Sequence, residues 1–155
     1  MGKIEITKKV LGICATNCYT VVDTETKEAL IIDPADRADV LIHDWKDKGV
    51  TPTTVLLTHG HFDHIGALAG VKKEYPDIKV YAAAKEKEVM ESPALNLSSS
   101  FGAAFTAQAD IYLEDGAEIE VLGRKCKCLL VPGHTKGGMC YYCLLYTSDA
   151  ADDRI

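Results

Sequence analysis

The sequence predicts an α/β fold in which helices cover a layered β-sheet. Short segments with apolar residues at every second position indicate strands, and segments with apolar residues three or four positions apart indicate helices. Their order is β-β-β-α-β-α-β-α followed by four strands, which is typical of layered α/β domains. The chain of 155 residues, 47% of them hydrophobic, is long enough for one domain with one core.

In the first half of the chain, alternating apolar residues predict the first two strands, and a segment rich in Val and Leu at 53–58 predicts a short buried strand. Helical spacing predicts two helices. The helix at 37–48 is closed by Gly49, a residue that commonly follows the last turn. The helix at 63–75 ends before Pro76, because the residue before a proline disfavours helical geometry. The predicted strands of this half are 3–10, 17–23, 29–33 and 53–58.

The second half begins with a predicted strand at 79–83 and a short helix at 85–91. The charged run Lys-Glu-Lys-Glu at 85–88 predicts that this helix presents a solvated face. Residues 92–108 are small, polar and aperiodic, which predicts a surface loop. The four closing strands are 111–113, 118–122, 126–131 and 139–142.

Composition excludes several classes of protein. Seventeen Lys and Arg against 23 Asp and Glu give a net charge of −6, which excludes a basic surface for nucleic acid. The apolar runs are far shorter than the ~20 residues of a membrane span, and no signal peptide is recognisable. We therefore expect a cytoplasmic protein with reduced cysteines and no nucleic-acid or membrane partner. Nothing in the sequence indicates an oligomeric state.

The last thirteen residues differ in character from the rest of the chain. The run from Cys143 to Asp152 resembles the translation of a transposase-type sequencing adapter, and no turn or cap precedes it. We expect an incomplete domain at 1–142 and a non-native tail at 143–155.

Four of the five histidines lie in two short segments. His59, His61 and His64 belong to the sequence HGHFDH, which directly follows the predicted strand at 53–58. His134 belongs to the sequence PGHTKGG at 132–138. Three histidines within six residues at the end of a buried strand are difficult to explain by packing alone.

The spacing within HGHFDH suits a metal site. His59 and His61 are two positions apart on extended chain, so both rings project to the same side. Gly60 between them permits a tight turn. Asp63 and His64 fall at the start of the next helix, where Asp63 is expected to cap free N–H groups. Imidazole and carboxylate are ligands that zinc and iron accept, so the segment predicts a metal centre.

The pattern His-x-His-x-Asp-His after a Val/Leu strand, with Pro-Gly-His-Thr some seventy residues later, resembles the metallo-β-lactamase superfamily. Within it, the sequence is most similar to glyoxalase II-like (hydroxyacylglutathione hydrolase-like) hydrolases, which 17–19 (NCY) and 31–34 (IIDP) also fit. The resemblance covers 1–142. It implies an αβ/βα sandwich of which mostly the N-terminal half is present.

Carried over to this sequence, the resemblance implies ligands for two cations. His59, His61 and His134 would bind the first cation, and Asp63 and His64 would bind the second. The family also uses a bridging Asp and a further His, but no histidine follows His134 and the later aspartates lie in the expected tail. The implied cation is Zn²⁺, two per complete domain, with iron or manganese as alternatives.

The resemblance also implies a reaction. A bound cation lowers the pKa of water from 15.7 to about 7, which supplies hydroxide at neutral pH. Hydroxide would attack a thioester such as S-lactoylglutathione, with Asp63 holding the second cation and orienting the nucleophile. The thiolate leaves without a general acid because the pKa of a thiol is near 8.5. The implied partner is therefore a small-molecule thioester.

Two other functions stay open at this point. The same fold could use one iron to oxidise a glutathione persulfide, because the residues that discriminate the two reactions are not in 1–142. The chain as given could also be a metal-binding fragment without turnover.

Other chemistry-bearing residues are expected to be structural. Cys126 and Cys128 lie on one strand face and are expected to pack in the core. His43 is expected on the exposed side of a helix, and Asp33 is expected to end a strand near the site without binding metal.

Overall fold

The predicted α/β architecture is confirmed by a computed structural model, which describes residues 3–144 and 152–154, with side chains for 3–142. The strands are β1 (Ile4–Leu11), β2 (Thr16–Asp23), β3 (Glu28–Ile32), β4 (Thr51–Leu56), β5 (Lys79–Ala83), β6 (Ile111–Leu113), β7 (Glu118–Val121), β8 (Arg124–Leu130), β9 (Met139–Leu144) and β10 (Asp152–Arg154). The helices are α1 (Ala38–Lys48), α2 (Phe62–Ile65), α3 (Leu68–Glu74) and α4 (Lys87–Met90), with 3₁₀ turns at Ala84–Glu86 and Ser98–Ser100. No helix in the described residues has the length and apolar character needed to cross a membrane.

The strands form two sheets. The larger sheet has the order β1-β2-β3-β4-β5-β6, with β1 to β3 antiparallel and β3 to β6 parallel. The smaller sheet has the order β10-β9-β8-β7 and is antiparallel. Helices connect β3 to β4 and β4 to β5, as parallel neighbours require.

Strand β3 shows how the layers are stacked. Its side chains alternate between the two faces of the sheet, as a strand requires. Ala29 and Ile31 pack in a core between the larger sheet and the helices, whereas Leu30 and Ile32 pack in a second core against the smaller sheet. The described chain therefore has three layers: helices, the six-stranded sheet and the four-stranded sheet.

The predicted single helix at 63–75 is wrong, because two helices occupy this stretch. The break follows Gly66, where a Cβ atom would overlap the carbonyl oxygen of Ala35. The next residue, Ala67, donates its backbone N–H to the carbonyl oxygen of Pro34 at 2.9 Å. Contact with the chain after β3 therefore ends α2 and sets the direction of α3.

Residues 92–108 are mostly irregular, as predicted, but buried hydrogen bonds anchor them. Asn96 is fully buried, and its side-chain amide donates to the carbonyl oxygens of Met90 at 3.3 Å and Phe105 at 2.9 Å. Its Oδ1 atom accepts a hydrogen bond from the N–H of Ser98 at 2.9 Å. The hydrogen bonds of Asn96 therefore hold the middle of this segment beside α4.

The expected tail at 143–155 lies mostly outside the described residues. Of this tail, the structure describes the backbone of 143–144 and of β10, which pairs with β9. The boundary at residue 142 and the non-native origin of the tail stay predictions.

Candidate metal centre

The candidate site lies where three parallel strands end. Asp33 directly follows β3, His59 comes three positions after the last residue of β4, and Glu86 closes the 3₁₀ turn after β5. The carboxyl ends of neighbouring parallel strands open at the same edge of a sheet, where ligands of α/β folds commonly bind. The topology therefore brings these three residues to one edge.

Two loops place four imidazole rings in contact. In the HGHFDH loop (residues 59–64), the ring centroid of His59 lies 5.0 Å from that of His61 and 3.8 Å from that of His64. In the His134 loop (residues 132–138), the ring of His134 lies 4.6 Å from that of His61 and 5.0 Å from that of His59. Residues 70 or more positions apart therefore share one site.

The five predicted site residues form two overlapping groups of donor atoms. The first group contains His59, His61 and His134, and the second contains His59, Asp63 and His64. Within each group the donor atoms lie within 4.8 Å of one another. His59 belongs to both groups.

The His134 loop is joined to the end of β4 by the backbone. The N–H of Met139, the first residue of β9, donates to the carbonyl oxygen of Thr58 at 2.8 Å. The loop is closed on itself by a hydrogen bond from the N–H of Val131 to the carbonyl oxygen of Gly138 at 2.7 Å. These bonds hold His134 over the HGHFDH loop, although its side chain is exposed.

Asp33 fixes the orientation of His64. Its Oδ2 atom lies 2.8 Å from Nδ1 of His64, and its Oδ1 atom accepts the backbone N–H of Thr58 at 2.8 Å. An ionised carboxylate only accepts hydrogen bonds, so Nδ1 of His64 carries the proton and Nε2 offers its lone pair to the site. Burial alone would lower the pKa of His64, but the hydrogen bond and the negative charges of Asp33 and Asp63 together raise it.

Asp63 does not cap α2, contrary to the expectation from the sequence. The helix starts after His61, and no side chain forms a cap hydrogen bond there. Asp63 instead accepts a hydrogen bond from the hydroxyl of Thr16 on β2 at 2.7 Å, and its Oδ2 atom lies 3.4 Å from Nε2 of His64. The contact with β2 turns the carboxylate toward the imidazoles and away from the helix N-terminus.

The imidazoles of His59 and His61 are held neutral. Burial, and to a smaller extent the neighbouring imidazoles of His64, His61 and His134, together lower the pKa of His59 to about 3. Burial and the ring of His134 also lower the pKa of His61, against the opposing charges of Asp63 and Glu86. Neutral imidazole is the form that binds a cation, so the donor set fits a divalent metal.

The spacing of the ring nitrogens fits the same conclusion. Nδ1 of His61 and Nε2 of His134 lie 3.0 Å apart. Two nitrogens that each bind a tetrahedral zinc at 2.0–2.1 Å are separated by about 3.3 Å. A small outward movement of the exposed His134 ring would bring the pair to that separation.

Two buried carboxylates that support these loops differ from what the sequence pattern predicts. Asp33 was expected only to end a strand, yet it is buried and hydrogen-bonded to the HGHFDH loop. Glu86 was placed on a solvated face, yet it is 1% exposed and accepts a hydrogen bond from the N–H of Gly60. The available signal for Glu86 was Met90, an apolar residue four positions later on the same face of a helical segment.

Comparison with known proteins is consistent with the geometry. The family model described as the metallo-beta-lactamase superfamily matches residues 11–147. Over 134 residues the chain is 36% identical to the "Probable metallo-hydrolase YqgX" of Bacillus subtilis, a match that covers 85% of this chain and 62% of that protein. Over 124 residues it is 28% identical to a hydroxyacylglutathione hydrolase of Synechococcus, covering 80% of this chain and 42% of that protein.

Among solved structures, the BLEG-1 B3 metallo-beta-lactamase has a TM-score of 0.83 and 37% sequence identity to this chain. The match covers 90% of this chain and 67% of that chain. The chain thus spans 62% of the length of the Bacillus subtilis metallo-hydrolase and 42% of the length of the Synechococcus hydroxyacylglutathione hydrolase.

Proposed function

The chain belongs to the metallo-beta-lactamase superfamily, and we propose that it is the metal-binding part of a hydrolase that cleaves thioesters. The observation that carries the proposal is the convergence of four imidazoles and Asp63 at the ends of parallel strands. The similarity to a metallo-hydrolase and to a hydroxyacylglutathione hydrolase supports the reaction class.

In this proposal the two donor groups hold two cations. His59, His61 and His134 hold the first, and Asp63 and His64 contribute to the second. We propose zinc, because neutral imidazoles with an open fourth position suit a catalytic zinc site. A bound divalent cation supplies a Lewis acid that lowers the pKa of water and polarises a carbonyl group.

The chain's own residues orient the reactants. Asp63 accepts a hydrogen bond from the attacking water and thereby directs a lone pair of its oxygen toward the substrate carbonyl carbon. Thr16 keeps the carboxylate of Asp63 in that position through its 2.7 Å hydrogen bond. A thiolate leaving group has a conjugate acid with a pKa near 8.5, so it departs at neutral pH without a proton donor.

An apolar recess beside Asp63 is suited to the acyl part of such a substrate. It has a volume of about 190 Å³, and its lining includes Ile13, Ala35, Phe62 and Phe105. Ile13 is 75% exposed in the hairpin loop between β1 and β2, so its side chain is available for contact. A recess of this size favours a small acyl group such as lactoyl.

Metal content and thioester cleavage by the 155-residue chain test the proposal. The purified chain should bind at least one zinc per molecule, and it should hydrolyse S-lactoylglutathione faster than a metal-free sample. The variant H59A should lose both properties, because His59 belongs to both donor groups. The variant H43A is the matched control, since His43 is exposed on α1 away from the site, and it should retain both.

The outcomes separate the competing functions. Bound metal with no hydrolysis above the H59A background would contradict thioester cleavage by this chain and favour a metal-binding fragment. One iron per chain with oxygen consumption on glutathione persulfide would favour the oxidation. Cleavage of a β-lactam without cleavage of the thioester would contradict the thioester proposal. It would indicate a β-lactam substrate, as the name of the BLEG-1 B3 metallo-beta-lactamase indicates for that protein.

A further inference from the structure

Glu86 is a buried carboxylate beside both ligand loops. Its residue is 1% exposed, and its Oε1 atom accepts the backbone N–H of Gly60 at 2.7 Å. Its Oε2 atom is buried and has no hydrogen-bond partner. No lysine or arginine in the described part of the chain forms an ion pair with it. A buried carboxylate with one oxygen unpaired is unfavourable unless something nearby compensates its charge.

Two glycines, which have no side chains, provide the space that Glu86 occupies. A Cβ atom at Gly60 would lie 3.2 Å from Cγ of Glu86 and 2.6 Å from Cγ of Met90. A Cβ atom at Gly137 would lie 2.5 Å from both Oε2 and the backbone nitrogen of Glu86. Neither glycine has a positive φ angle, so close packing, against Met90 and Glu86 at Gly60 and against Glu86 at Gly137, explains the absence of side chains.

These contacts connect Glu86 to both donor loops at once. Gly60 lies between His59 and His61 in the HGHFDH loop, and Gly137 lies three residues after His134. The carboxylate therefore fills the gap between the two loops and sets how closely they can approach each other. Its negative charge also opposes the lowering of the His61 pKa, which shows that it favours positive charge at that ring.

We propose that Glu86 is a positioning residue of the metal centre, which holds the HGHFDH loop and the His134 loop at ligand distance and supplies a negative charge behind them. The proposal rests on metal binding by this site, the first part of the proposed function. A cation at the imidazoles compensates the buried charge of Glu86, so the cation and the carboxylate stabilise each other.

Glu-to-Gln substitutions at two positions distinguish the positioning role of Glu86 from a general effect of negative charge on zinc binding. The change E86Q keeps the shape and the oxygen that accepts the N–H of Gly60, but it removes the charge. The change E88Q removes the same charge from an exposed neighbour two positions later. Changes in groups that support metal ligands typically weaken metal binding by about 10- to 100-fold, whereas an exposed charge is largely screened.

We expect E86Q to weaken zinc binding about tenfold and E88Q to leave it within about twofold of the unchanged chain. Competition with a chromophoric chelator measures the affinity. The visible spectrum of the Co²⁺-loaded chain measures ligand geometry, and it should change in E86Q and not in E88Q. The variant G137A, which places a methyl group against Oε2 of Glu86, should weaken binding in the same direction.

Thermal unfolding of the metal-free chains distinguishes positioning from loss of folding. The variant L41A removes a buried side chain from the helix-side core and should lower Tm without changing zinc affinity. Should E86Q lower Tm as well, the rise in Tm on adding zinc reports the affinity of each chain relative to its own metal-free state.

Equal zinc affinity and equal Co²⁺ spectra of E86Q and E88Q would overturn the positioning role. Loss of affinity in L41A as large as in E86Q would assign the effect to stability and would also overturn it. Absence of zinc binding by the unchanged chain would overturn both proposals. Zinc binding without thioester cleavage would contradict the proposed reaction only. The role of Glu86 would then still be decided by the zinc affinities of E86Q and E88Q.

Discussion

The two loops that form the candidate metal centre differ in how the rest of the chain holds them. The HGHFDH loop contributes three imidazoles and a carboxylate, and side chains of Asp33, Thr16 and Glu86 each form a hydrogen bond to it. The His134 loop contributes one exposed imidazole, and the hydrogen bond that joins it to the end of β4 comes from the backbone of Met139. The hydrogen bonds to the HGHFDH loop come mainly from side chains, whereas the His134 loop is hydrogen-bonded through main chain and lies against the side chain of Glu86 at Gly137.

This difference assigns different consequences to substitutions in the two loops. Buried side chains that hold the HGHFDH loop contribute to folding and to ligand geometry together. An exposed ring on a backbone-anchored loop contributes to cation binding, and its removal leaves no buried group unpaired. Stability and metal affinity should therefore change together in one loop and separately in the other.

The largest expected effect comes from comparing H59A with H134A. H59A removes a donor from both groups, and it should weaken zinc binding by more than the ~100-fold of a supporting residue and abolish any second equivalent. H134A removes a donor from the first group only, so one weaker equivalent should remain in the second. Isothermal titration of the metal-free chains with zinc measures both numbers.

Stability provides the second half of this comparison. H134A should change the free energy of unfolding of the metal-free chain by no more than about 0.5 kcal/mol, because the side chain is exposed. Equal loss of stoichiometry in H59A and H134A would show that the two groups are one site. A large loss of stability in H134A would show that the His134 loop supports the fold.

A smaller and more selective effect is expected from D33N. The amide places an N–H₂ group opposite Nδ1 of His64, so Nδ1 becomes the acceptor and the proton moves to Nε2. An Nε2 that carries a proton has no lone pair for a cation. We expect the second equivalent of zinc to bind about 10- to 100-fold more weakly while the first is unchanged.

The variant D33A provides the contrast. It leaves the N–H of Thr58 without its acceptor and should lower the free energy of unfolding by about 2–3 kcal/mol, as measured with urea. D33N retains an oxygen for that N–H and should be less destabilised than D33A. Loss of both zinc equivalents in D33N at unchanged stability would contradict the orienting role of Asp33.

The parts of the structure that could be predicted are those in which neighbours in sequence are neighbours in space. The short apolar run at 29–32 located β3, since its residues face two buried cores in turn. The spacing of His59 and His61 indicated a shared direction, and their rings do lie side by side. The α/β architecture followed because each such local pattern agrees with the layered fold.

The parts that could not be predicted depend on residues far apart in the chain. The predicted helix at 63–75 breaks at Gly66 because the carbonyl oxygen of Ala35, in the segment after β3, lies against it, and no local signal shows this contact. Glu86 belongs to a charged run typical of a surface, yet two glycines from distant loops enclose it. Asp33 orients His64 only because β3 and β4 are parallel neighbours. In each case the pairing of strands decides the environment of the residue.

The smallest expected effect is on how the stability of the metal-free chain depends on pH. His59 has its pKa lowered from 6.5 to about 3 by burial and by the neighbouring imidazoles, so between these values the unfolded chain binds a proton that the folded chain does not. Its contribution to stability is therefore present above pH 6.5 and is lost as the pH falls toward 3. His64 has its pKa raised by Asp33 and Asp63 in spite of burial, so its contribution is present below pH 6.5 and is lost as the pH rises through the raised value.

Replacement of each histidine should thus change opposite sides of the same stability profile. From pH 6.5 to about 5.5, where few carboxylates take up protons, His59 should account for a decrease of about 1 kcal/mol in the free energy of unfolding. H59A should flatten this decrease, while H64A should leave it nearly unchanged and should remove the loss of stability that accompanies a rise in pH above 6.5. Urea unfolding in the presence of a chelator at several pH values measures both. Identical profiles for H59A and H64A would mean that the HGHFDH loop does not hold its imidazoles in different protonation states, and that Asp33 does not distinguish one ring from the other.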